Sequence, residues 1–165
     1  MQPPSAAFVS EAVFFELLAE RVASDPLHQV QLLRGLSREE AARFLSRATL
    51  LRVAAGDLVV RRGDRDSTLY ALLSGVAELA VADRSKPPVA VFGAGDSFGE
   101  IGFLTGVART ANVVARTDCE VLVLSGDFLQ RLVADEPAIG AKVLLSLSRE
   151  LAGRLALATE RLQAL

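Results

Sequence analysis

The chain has 165 residues, 51% of them hydrophobic, and its 20 acidic and 18 basic residues leave a formal net charge of −2. That length suits one domain with a real core, and the apolar fraction argues against intrinsic disorder. The balanced charge argues against a nucleic-acid partner, which calls for a basic face. One cysteine, Cys119, permits no intrachain disulfide, and one histidine, His28, cannot build a histidine metal cluster. The expectation is a cytoplasmic protein with no metal site and no cofactor. The start, Met1-Gln2-Pro3-Pro4-Ser5, lacks the basic region of a signal peptide, and no apolar run reaches the ~18 residues of a membrane span.

In chain order, Phe8, Val9, Ala12, Val13, Leu17, Ala19 and Val22 recur at three- and four-residue steps, which predicts a helix over 8–24. Asp25-Pro26 ends it, and a further helical piece, Leu27–Leu33, breaks at Gly35. Residues 1–30 are thus expected to be an N-terminal helical extension, and 31–165 the main domain. Ser37 followed by Glu39 and Glu40 predicts an N-cap and a helix running to about Ala48.

From Thr49 the apolar period becomes that of strands. The runs are Thr49–Val53, Asp57–Arg61, Thr68–Leu73, Val76–Val81, Val89–Phe92, Asn112–Ala115 and Cys119–Leu124. Nine of the twelve glycines fall between 56 and 126, where tight turns are needed. Short strands with regular turn signals predict a small sandwich or barrel over 49–125, with Lys86-Pro87-Pro88 at a hairpin tip.

Within that region, Phe98 to Ala111 forms a distinct stretch. A turn-rich link, Gly93 to Ser97, precedes it, and a short amphipathic piece follows Gly99. The first N–H groups of that piece have no intrahelical partner and can take an anion. Gly99 and Gly102 leave room for a ligand beside the backbone. Arg109 offers a planar fork to a phosphate, Glu100 a carboxylate to sugar hydroxyls, and Thr110 a hydroxyl. The same residues also suit a dipole-complementing glutamate and a solvated arginine, so spacing alone leaves both readings open.

After Ser125-Gly126-Asp127 the helical period returns over 127–165. Asp127 or Ser125 caps a short helix, Phe128–Val133, and Asp135-Glu136-Pro137 opens a long one. Leu144, Ser148, Leu151, Leu155, Ala158, Leu162 and Leu165 follow steps of four and three, a heptad seam. The expectation is that the first turns pack on the barrel and the later ones on a partner. No catalytic residue is expected. Cys119 and His28 lie on distant elements, Ser97 is not set in a nucleophile elbow, and nothing marks a second half-site beside Glu100 and Asp96.

Phe98-Gly99-Glu100, a short helix, then Arg109-Thr110-Ala111 resembles the phosphate-binding cassette of cyclic nucleotide-binding domains. The resemblance continues through Val113 to Val121, backward through Gly63-Asp64 and Leu69 to Gly75, and to Leu32 through Ser37. It covers roughly 32–161. It implies an α+β fold, an eight-stranded antiparallel β-roll of jelly-roll type flanked by N-terminal helices and a long C-terminal helix. It implies cyclic AMP, or cyclic GMP, as ligand. Arg109 and the backbone N–H groups of Ile101 and of Thr110 or Ala111 would take the phosphate, and Glu100 the ribose 2′-hydroxyl. Phe98 and Gly99 complete the cassette. Val89, Val91 and Leu104 would line the apolar floor, and Arg149 or Arg154 would approach the base. The departure is Gly102-Phe103, where Ala-Leu is common; glycine loosens the short helix by up to ~1 kcal/mol. Signalling would run through the C-terminal helix to a second copy or an effector. Two alternatives remain: a nucleotide-free interaction module, and a transcription regulator lacking its helix-turn-helix. Glu100 and Arg109 both stand at the family's spacing, which favours the nucleotide. The seam ends at Leu165 with no room for a helix-turn-helix, so the chain either acts through a partner or is a piece of something longer.

Overall fold

The computed structural model describes residues 7–10, 12, 13, 16, 29–80 and 87–164. The apolar runs fold into two antiparallel sheets. The strands are β1 (Ala7–Phe8), β2 (Thr49–Val53), β3 (Leu58–Val60), β4 (Leu69–Ser74), β5 (Ala77–Ala80), β6 (Ala90–Phe92), β7 (Ser97–Phe98), β8 (Asn112–Ala115) and β9 (Cys119–Leu124). One sheet has the order β1-β2-β9-β4-β7, the other β3-β8-β5-β6. This is the expected β-roll, with β1 as an additional strand at one edge.

The first sheet is covered on both faces, which explains why its strands lack clean polar alternation. In β2 and β9, Leu50 pairs with Leu122 and Leu51 with Val121. Leu50 and Leu122 face a helical layer of Phe44, Phe128, Leu132, Ile139, Val143 and Leu147. Leu51 and Val121 face the interior between the sheets, with Val53, Val60, Phe92, Phe98, Val113 and Ala115. A one-residue slip in register would exchange the two sets, so the pairing is strongly specified.

The helices are α1 (Arg38–Leu45), α2 (Glu100–Thr105), α3 (Phe128–Asp135) and α4 (Pro137–Gln163), with a 3-10 turn at Gln31–Leu33. Ser37 caps α1 with a full capping box: its hydroxyl accepts from the Glu40 N–H, and the Glu40 carboxylate accepts from the Ser37 N–H at 2.7 Å. Asp127 is the N-cap of α3 without a side-chain cap bond, and Pro137 opens α4.

Three expectations change. The helix predicted from Phe8 does not begin there. Ala7 and Phe8 pair with Arg52 and Leu51, and the Val9 N–H donates to the Leu50 carbonyl. The open edge of β2 satisfies more backbone groups than an uncapped helix start at Ser10. Ala12, Val13 and Glu16 are helical; the rest of the predicted helix, His28 and the Lys86 tip lie outside the described residues. The two-residue strand β7 sits where only a turn-rich link is expected. The face of α4 that docks is a stripe beside the expected seam: Ile139, Val143 and Leu147 pack on the roll, whereas on the seam Leu144 and Leu151 are half-buried and Leu155 (69%) and Leu162 (71%) are exposed.

Two glycines on α4 make opposite predictions. A Cβ at Gly140 would lie 3.0 Å from Val133 Cα and 2.8 Å from Val133 Cγ2, so close approach to α3 requires glycine. Gly153 meets nothing within 4 Å. Gly153→Ala should raise stability by up to ~1 kcal/mol. Gly140→Ala should lower it by about 1–2 kcal/mol, because overpacking outweighs the propensity gain. Urea unfolding of both variants measures the difference.

Candidate functional site

The site lies where β7 turns into α2. Gly99 makes that turn at φ 85°, in the left-handed region, and its missing Cβ leaves room for Arg109: a Cβ there would lie 2.9 Å from Arg109 Nη1 and 3.0 Å from the Thr68 carbonyl. The first i→i−4 bond of α2 runs from the Phe103 N–H to the Gly99 carbonyl. The N–H groups of Glu100, Ile101 and Gly102 precede it and border the open side.

Arg109 reaches back under this turn and is only 4% exposed. Its Nε donates to Asp66 Oδ2 at 3.0 Å, and Nη2 donates to Asp66 Oδ1. Nη2 also donates to the Thr68 carbonyl at 2.6 Å, and Nη1 to the Gly99 carbonyl at 2.8 Å. Four of its five N–H bonds are therefore taken, which leaves one on Nη1. The loop carrying Asp66 is held in register by backbone bonds: the Arg109 N–H donates to the Asp64 carbonyl, and the Gly63 N–H to the Arg109 carbonyl. Partial burial opposes ionisation of Asp66, but the Arg109 hydrogen bond, the Thr68 amide and the Arg109 charge outweigh it and hold the carboxyl below its ordinary value.

The guanidinium also lies 5.8 Å from the Tyr70 ring centroid. Tyr70 stacks on Phe98 at 5.3 Å, and Phe98 on Phe92 at 5.3 Å. Arg154, on α4, lies 5.2 Å over Phe92. An aromatic file thus runs between two arginines. Arg154 Nη1 donates to Glu100 Oε1 at 3.1 Å, and Nη2 to Glu150 Oε1 at 2.6 Å and to the Ser97 carbonyl.

Phe98, Gly99, Glu100, Ile101, Arg109, Thr110 and Ala111 converge on one cleft, with Gly102 and an apolar wall of Val60, Leu79, Phe92 and Val113. It is an open cleft whose space merges with solvent. An apolar wall opposite one arginine edge, one carboxylate and several free amides suits an anion joined to a polar hydroxyl group and a flat apolar ring.

Val89 and Val91, expected on the floor, are 55% exposed and do not border the cleft. Strand alternation turns Phe92 inward in their place. Leu104 is exposed on the outer face of α2. Arg149 is exposed, whereas Arg154 reaches the site. Asp66, Ser97 and Glu150 join the site with no local sequence pattern to mark them. Among the described residues, no group of three or more His, Cys, Asp or Glu is placed to hold a metal, and no helix is long and apolar enough to cross a membrane.

The profile of the family described as "Cyclic nucleotide-binding domain" matches residues 50–136. The chain is 33% identical to a cAMP-dependent protein kinase regulatory subunit of Dictyostelium discoideum over 84 residues, 50% of this chain and 26% of that protein. The match spans about a quarter of that relative's length. A cyclic nucleotide-binding domain from Methylobacillus flagellatus superposes with a TM-score of 0.79 at 26% identity, covering 96% of this chain and 88% of that one. The catabolite activator protein of Thermus thermophilus superposes with a TM-score of 0.70 at 29% identity, covering 81% and 62%.

Asp66→Asn should destabilise the fold by about 2 kcal/mol, because it leaves a buried guanidinium without its charged partner. The pH dependence follows from the lowered Asp66 carboxyl. Its contribution is complete above the ordinary aspartate value and is lost as pH falls through the lower folded value. Urea midpoints between pH 6 and pH 2.5 should fall less steeply in the variant than in the parent.

Proposed function

The chain belongs to the cyclic nucleotide-binding domain family, and from that premise we propose that its cleft binds a cyclic mononucleotide, cyclic AMP first and cyclic GMP as the alternative. The observation that carries this reading is the convergence of Arg109, Glu100 and the unpaired first-turn amides of α2 on one cleft with an apolar wall. The remaining Arg109 Nη1 N–H and the Ile101 and Gly102 amides take the phosphate oxygens. Asp66 orients the guanidinium before the ligand arrives, so little ordering remains for binding to supply. Glu100 accepts from the ribose 2′-hydroxyl. The purine lies against Val60, Leu79, Phe92 and Val113. The exposed Thr110 hydroxyl is placed at the rim, where a guanine amino group could reach it.

The role is that of a cytoplasmic regulatory sensor and not an enzyme. The buried, unpaired Cys119 suits a reducing compartment. The signal leaves through α4, whose proximal turns dock on the roll and whose distal turns present Leu155 and Leu162 to a second copy or an effector. The break at Glu136, where the chain leaves helical geometry before Pro137, is the hinge for that movement.

Isothermal titration should give a dissociation constant in the micromolar range for cyclic AMP, cyclic GMP or both. In the parent, 2′-deoxy cyclic AMP should bind about ten-fold more weakly than cyclic AMP. In Glu100→Ala the two should bind alike. No heat from either nucleotide would refute the ligand, and an undiminished deoxy penalty in Glu100→Ala would move the ribose elsewhere.

A further inference from the structure

The contact between α4 and the strand that leads into the cleft is polar and buried. Glu150 is 8% exposed. Its Oε1 accepts the Ser97 N–H at 2.9 Å, and its Oε2 accepts the Ser97 hydroxyl at 2.7 Å. Oε1 also takes Arg154, one turn further along α4. Ser97 is 1% exposed and stands three residues before Glu100, in the two-residue strand β7 that leads into α2. Here a charged side chain from α4 holds both the backbone and the hydroxyl of the strand that sets the position of α2.

Arg154 is held by three acceptors: Nη2 donates to Glu150 Oε1 and to the Ser97 carbonyl, and Nη1 to Glu100 Oε1 at 3.1 Å. Arg154 thus links Glu150, on its own helix, to Glu100 at the start of α2. The same guanidinium covers Phe92, whose ring walls the cleft. One carboxylate on α4 thus fixes the strand before α2, the glutamate at its first turn and the aromatic wall.

We propose that Glu150 is a positioning residue of the nucleotide site, acting through Ser97 and Arg154, and that it ties ligand binding to the docking of α4. The proposal rests on the nucleotide reading above. Because coupling is reciprocal, a ligand that needs Glu100 in its held position stabilises the docked helix, and loosening the helix weakens the ligand by the same factor. Glutamine at 150 is nearly isosteric. Its carbonyl still accepts the Ser97 N–H, but it brings no charge to Arg154, so the hold on Glu100 slackens while the docking surface remains.

The test compares the parent, Glu150→Gln and Ser97→Ala as full chains. Titration with cyclic AMP and cyclic GMP gives affinity, and amide hydrogen exchange at Ser97 gives docking. Glu150→Gln should bind about ten-fold more weakly with a thermal midpoint within a few degrees of the parent, and Ser97→Ala about three-fold more weakly. Nucleotide should slow Ser97 exchange in the parent and do so less in Glu150→Gln. An affinity in Glu150→Gln within two-fold of the parent overturns the positioning role. If the parent binds neither nucleotide, the ligand reading fails and the positioning role with it. Faster Ser97 exchange in Glu150→Gln would then still support the Glu150 clasp, and unchanged exchange would overturn the clasp as well.

Discussion

Everything at this site depends on burying one guanidinium. Removing a guanidinium from water is costly unless its N–H bonds find acceptors. Asp66, the Thr68 and Gly99 carbonyls and the Tyr70 ring supply them from two separate segments, residues 66–70 and the turn at Gly99. Those segments can meet only if the loop after β3, the start of β4 and the turn into α2 close on one another. Gly99 is the local price of that closure, since any larger residue would collide with the guanidinium. An arginine held this firmly has a fixed edge to offer, and preorganisation of that kind favours a small anion over a flexible one.

The platform beneath it is a sheet buried on both faces. Leu50 and Leu122 pack under the helices while Leu51 and Val121 fill the roll, so β2 and β9 cannot shift without disturbing two cores. Movement is therefore left to elements attached from outside, namely α2 and α4. Of these, α4 is the longer, and its middle third is tied to the site by Glu150 and Arg154. Its distal leucines are free of the roll. In the proposed role, a helix anchored beside the ligand and unpaired further along couples occupancy to assembly, because both would depend on its docked position.

How far the chain could be read in advance varied with the range of the interaction. Strands β2, β8 and β9 were legible to the residue, and so was the Ser37 cap, because period and capping are local. Strand β7 was not, since two residues carry no period. Glu100 and Arg109 were legible through the spacing of one contiguous stretch. Asp66 lies 43 residues from Arg109 and Glu150 lies 53 from Ser97, and no local pattern announces such pairs. A weak signal existed for the second: Glu150 and Arg154 are an acid and a base four apart, where the apolar docking face of α4 continues. Val89 and Val91 lie on the face away from the cleft, and alternation alone gives a strand two sides without saying which one meets a ligand. The helix expected from Phe8 failed because periodicity cannot foresee an open strand edge nearby.

The most direct test is a crystal structure of the chain grown with cyclic AMP. The account predicts the phosphate between Arg109 Nη1 and the amides of Ile101 and Gly102, the ribose 2′-hydroxyl on Glu100, and the purine against Phe92 and Val113. A nucleotide bound elsewhere, or an Arg109 that contacts only Asp66, Thr68 and Gly99 beside an occupied cleft, would contradict it.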